Sequence, residues 1–101
     1  MHRHRHEDEA LYGLEGELAV RVGDRVHAVG PGTFVLMPRG VAHAFANPGA
    51  VPARVLVVSS PGAVIGYFKQ AAALTNAGPG GQPDMQRLVT LATGYGIEFV
   101  E

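Results

Sequence analysis

Short stretches in which apolar and polar residues alternate, broken every few positions by Gly, Pro or Asp, dominate the first 60 residues. ALYGL (10–14) and ELAVRV (17–22) have the period of half-buried strands, meeting at a turn around Glu15-Gly16. Gly23-Asp24 is a hairpin signal that leads into RVHAV, residues 25–29. Gly30-Pro31-Gly32 must break the next strand, and TFVLM (33–37) follows as a largely buried run. Pro38 to Gly40 makes a further turn, after which His43, Phe45 and Asn47 share one face of a strand. ARVLVVSS (53–60) is the last strong strand before Pro61-Gly62.

Beyond that point the period changes. Val64, Phe68, Ala71 and Ala72 stand at near-helical spacing, and the alanines of VIGYFKQAAAL support a helix over 64–74. AGPGGQP (77–83) reads as a loop. Asp84 is placed to cap a second helix, MQRLVTLATGYG, whose apolar stripe is Leu88, Leu91 and Ala92. Gly94 or Gly96 ends this helix and leaves IEFV as a short extended tail.

Composition narrows the class. A chain of 101 residues makes one domain with one core. Fourteen Gly and seven Pro against 47% hydrophobic residues suit many short strands and tight turns, hence an all-β barrel or sandwich. The net charge of −1 and the singly scattered Lys and Arg beyond residue 5 argue against nucleic-acid or membrane binding through a basic face. No apolar run approaches a membrane span and the N-terminus is not signal-like, so a cytoplasmic protein is expected. With no Cys, any metal must be held by nitrogen and oxygen.

The candidate chemistry sits at the N-terminus. In an extended strand His2 and His4 project to one side, and Glu9 can be brought round to them by the next stretch of chain. Two imidazoles and a carboxylate converging in this way make a metal site, and GTFVLMPRGVAHAFAN offers a fourth ligand in His43. Such a set suits Fe, Mn, Ni, Cu or Zn and leaves positions open for substrate, dioxygen or water. The plainer alternative is a floppy basic terminal segment. A slipped register using His4 and His6 is a further alternative, while His27, in an alternating strand beside Arg25, reads as solvent-facing. Glu7 and Asp8 read as a solvated turn. Gly16, Gly32 and Gly40 read as turn or close-packing residues, and Asn47 as structural. From Glu9, strand parity turns Leu11 and Gly13 toward the interior, where Phe45 shares the face of His43.

The two clusters resemble the two signature motifs of the cupin superfamily. His2, His4, Glu9 and Gly16 fit the first without a gap; Gly32, Pro38, Gly40, His43 and Asn47 fit the second, fifteen residues later. The resemblance implies a double-stranded β-helix, the jelly-roll cupin barrel, over residues 1–60. It further implies a two-helix C-terminal extension over 61–101 that packs on the barrel, as in small bacterial cupins of quercetin-dioxygenase-like type. It makes His2, His4, Glu9 and His43 the metal ligands and Glu9 the acceptor of a substrate proton. A branched apolar residue is usual in the family at the position of Gly13, so a locally wider pocket is expected there. Such proteins usually have bracing strands before the His-x-His pair, which implies that the N-terminus is truncated or that another chain supplies the bracing. The implied activity is a metal-dependent dioxygenase acting on a small enolisable or phenolic molecule. A non-redox isomerase, lyase or cyclase and a non-catalytic small-ligand binder are the alternatives. Exposed strand edges, together with the habit of small cupins to pair, lead us to expect a homodimer.

Overall fold

The computed structural model describes residues 1–100; residue 101, the last of the expected C-terminal extension, lies outside the described residues. Eight strands form two antiparallel sheets. They are β1 (His2–His4), β2 (Asp8–Glu15), β3 (Leu18–Val22), β4 (Arg25–Val29), β5 (Phe34–Met37), β6 (His43–Ala46), β7 (Arg54–Ser60) and β8 (Ile97–Phe99). One sheet has the order β4-β3-β6-β1-β8 and the other β5-β2-β7. Two helices, α1 (Ile65–Leu74) and α2 (Met85–Gly94), lie between β7 and β8 in the chain. This is the two-sheet arrangement of a jelly roll with a helical pair attached.

The alternation legible in the sequence sets which side chains enter the core. Leu11, Leu18, Val20, Val29, Val35 and Met37 form one buried cluster between the sheets. β3 and β4 pair as the hairpin expected at Gly23-Asp24, with Val22 opposite Arg25. β2 and β3, however, do not pair with each other. At Gly16 the chain leaves one sheet for the other, so β2 takes β5 and β7 as neighbours and β3 takes β4 and β6.

Gly13 does not widen the interior. A Cβ there would fall on the Gly30 carbonyl. The Gly13 N–H donates to Thr33 O at 2.9 Å, and Gly32 N–H donates to Gly13 O at 2.9 Å. The missing side chain therefore lets the turn between β4 and β5 lie directly on β2.

The last residues are more than a tail. Ile97–Phe99 pair with β1 in the register His2↔Phe99, Arg3↔Glu98 and His4↔Ile97. Arg3 donates to Glu98 Oε2 through Nε (3.1 Å) and Nη2 (3.0 Å), and Arg5 approaches Oε1 at 3.2 Å. Those ion pairs are partly exposed and add little alone. The larger contribution comes from Ile97, which is buried with Val64 and Ala92 and packed by Tyr67 and Tyr95. In α1 the half-buried positions are Gly66, Tyr67, Ala71 and Leu74, whereas Phe68 and Ala72 are exposed. The stripe is thus rotated from the one expected, because the helix packs through Tyr67 against Tyr95. Asp84 caps α2 as expected, accepting from Arg87 N–H at 3.2 Å. Among the described residues no helix is long and apolar enough to cross a membrane.

The packing at Gly13 gives a direct test. Gly13→Ala should cost about 1–3 kcal/mol in urea unfolding, since backbone rather than a flexible side chain must yield. Gly30→Ala, where the added methyl meets open space, should stay within about 0.5 kcal/mol of wild type.

Candidate metal centre

Three strands and one turn build the site. β1 is only three residues long, yet it lies between β6 and β8, and His2 is directly opposite His43. Cross-strand partners place their side chains side by side on one face. The imidazole centroids of His2 and His43 are accordingly 4.3 Å apart, with His4 at 5.2 Å from His2 and 5.5 Å from His43. One nitrogen from each of His2, His4 and His43 lies within 4.8 Å of the others, a group that could hold a metal ion. Glu9, on β2 of the opposite sheet, closes the site with Oε1 2.7 Å from His4 Nε2.

The Pro38-Arg39-Gly40 turn clamps this arrangement. Gly40, at φ +78°, directs its N–H to the His4 carbonyl at 2.7 Å, a backbone conformation that an L side chain disfavours. Arg39 N–H donates to Asp8 Oδ1 at 2.8 Å, and its guanidinium pairs with the same carboxylate. One residue past the turn, the Val41 carbonyl is 3.4 Å from His43 Nδ1. A carbonyl can only accept, so Nδ1 carries the proton and Nε2 of the neutral ring is left with its lone pair. Asn47 plays no part in the cluster; it ties down the following loop by accepting from Gly49 N–H and donating to Val51 O.

Burial governs the charge state of the cluster. His4, Glu9 and His43 are all buried. Burial first, then repulsion from His43 and His4, lowers the His2 pKa from the ordinary 6.5 to about 4. His43 is also lowered, by burial above all, although Glu9 and the Val41 carbonyl partly offset it. For Glu9, burial acts upward, but contact with His4 and the positive charge available on the three imidazoles outweigh it and hold the carboxyl below its ordinary range. Near neutral pH the site therefore presents lone pairs and a carboxylate.

Those donors lack protein partners. His4 Nδ1, Glu9 Oε1 and His43 Nε2 are buried without a hydrogen bond, and the short approach of His4 to Glu9 does not have hydrogen-bond geometry. Buried polar atoms without partners cost stability. Convergent imidazole nitrogens and a carboxylate oxygen are the donors that a divalent transition metal takes, so the residues fit such an ion.

The other sequence candidates fall outside. His6 is exposed and lies over Gly96, where a Cβ would approach its Nε2 to 2.8 Å, so the His4 and His6 register is not the one adopted. His27 is exposed on β4. Glu7 does not sit in a solvated turn; it is 2% exposed, with Oε2 unpartnered, and its charge acts on Arg39.

Above the cluster is a pocket of about 200 Å³. His2, His4 and Glu9 form its polar wall. Leu11, Val57 and Ile97 line it further, with the rings of Phe45, Tyr67, Phe68 and Phe99. Leu11 and Phe45 were legible from strand parity. The contributions of α1 and β8 were not, because only the tertiary pairing of β8 with β1 brings them there.

A model of the family described as "Cupin domain" matches residues 1–59. No curated protein matches the chain. Among solved structures, TT1209 from Thermus thermophilus is 41% identical, with a TM-score of 0.57, over 58% of this chain and 56% of that one. A protein of Acidithiobacillus ferrooxidans described as "Putative sugar phosphate isomerase" is 32% identical, with a TM-score of 0.53, over 57% of this chain and 38% of that one. The chain thus spans just over half of the first protein and well under half of the second.

The charge states generate a prediction. An unfolded imidazole binds its proton near 6.5 but folded His2 only near 4, so between these values the unfolded chain holds more protons and stability rises with pH. The lowered Glu9 carboxyl acts in the same direction at the acid end, being stabilising above its ordinary pKa of 4.5 and less so as pH falls. Calorimetry of the metal-free protein should show Tm falling steadily as pH is taken from about 6.5 to about 4. His2→Phe should flatten that slope.

Proposed function

This chain belongs to the cupin family, and we propose that within it the protein is metal-dependent and acts on a small enolisable or phenolic molecule, with dioxygenase chemistry as the leading reaction. The observation that carries the reading is the convergence of His2, His4 and His43 beside Glu9 with buried donor atoms left unpartnered. His2, His4, His43 and Glu9 would hold the ion. Bound there, a divalent transition metal supplies Lewis acidity and, where it is redox-active, a place for dioxygen.

The protein's own groups have separate tasks. Burial keeps His2 and His43 neutral, and His43 is oriented through the Val41 carbonyl. Glu9, ionised at neutral pH, is the only carboxylate lining the pocket among the described residues and can accept the proton of an enol or phenol. The apolar walls exclude water and bind the carbon skeleton. A second reading, a non-redox isomerisation or lyase reaction at the same site, is favoured by the likeness to the Acidithiobacillus protein. Turnover under anaerobic conditions would select it over the oxygenase.

Elemental analysis of purified protein should find close to one transition metal per chain, lost in His43→Ala and retained in His27→Ala. No metal after reconstitution would defeat the metal-dependent reading. No oxygen uptake by metal-loaded protein with flavonols, diketones and catechols would defeat the dioxygenase.

A further inference from the structure

We propose that the pocket selects a ligand with a single aromatic ring, or equivalent apolar bulk, that carries its oxygen donors at one end and bears no phosphate. This rests on reading the His cluster as the end at which those oxygens bind. The pocket's polarity is segregated: apart from His2, His4 and Glu9, every lining residue is aliphatic or aromatic. At about 200 Å³ the space is slightly larger than an apolar cavity of about 150 Å³ that accepts benzene, and smaller than the roughly 300–1,000 Å³ of sites for larger ligands. A second or third ring would project past Phe45, Phe68 and Phe99, which are 59%, 49% and 51% exposed at the rim.

The charge distribution excludes phosphate. None of the described Lys or Arg side chains lines the pocket. Arg3 and Arg5 are held by Glu98, Arg39 by Asp8, and Arg54 faces Glu15. A sugar phosphate with its hydroxyls at the His cluster would bury a dianion among aromatic rings with no cationic side chain to meet it. The Acidithiobacillus protein's description therefore does not carry over to the ligand of this chain.

Zinc-loaded protein titrated in a calorimeter with 4-methylcatechol and with ribose 5-phosphate tests this. We expect the catechol to bind about tenfold or more tightly than the sugar phosphate, and Phe68→Ala to weaken the catechol about tenfold with zinc content unchanged. Val57→Arg, at a 45% exposed lining position, should reverse the preference. Sugar phosphate binding as tightly as catechol to wild type, or a Phe68→Ala variant with unchanged catechol affinity, overturns the inference. Failure of the metal reading looks different: the protein takes up no zinc, while 4-methylcatechol still shifts the methyl resonances of Leu11 and Val57.

Discussion

Everything in this small barrel answers to one electrostatic problem, the gathering of three imidazoles and a carboxylate into a dry volume. Groups of this kind are costly to bury unless they are paired, and here the protein supplies few partners. Burial keeps His2 and His43 from taking protons, which leaves their nitrogens free to donate electron pairs. The cost falls on a β1 strand too short to persist by itself. It is held by β6 on one side, by β8 on the other and by the Gly40 N–H from the turn below.

The helical pair is part of that support. Ile97 lies opposite His4 on the paired strand and is packed against Val64 and Ala92, so the packing of α2 is transmitted to the ligand strand through one residue. The same segment finishes the pocket, since Ile97 and Phe99 line it beside the histidines and α1 adds Tyr67 and Phe68. Scaffold and binding surface are thus not separable in the C-terminal part of the chain.

The parts visible in the sequence are those with local signatures. Alternation located the core residues of β2 and β3, whereas TFVLM, expected as a largely buried run, itself alternates, with Val35 and Met37 buried and Phe34 and Leu36 exposed because only one face of β5 meets the core. Motif spacing located His2, His4, Glu9 and His43, which the structure brings together. The Pro38 and Gly40 turn was foreseen, though its work of clamping His4 was not. What escaped was nonlocal. Pairing of β8 with β1 joins residues 95 apart, and IEFV alone carries no sign of it. The role of Gly13 depends on where Gly30 arrives, and the burial of Glu7 has no local signature in the sequence. Phe68 belongs to a helix whose apolar stripe is ambiguous until Tyr67 finds Tyr95.

The pairing of β1 with β8 also fixes an order of events during synthesis. His2 and His4 leave the ribosome well before the strand that braces them has been made. While the chain is being translated, those ligands belong to an unbraced peptide. The grouping of His2, His4 and His43 that could hold a metal ion is therefore acquired only once β8 has been made and has met β1.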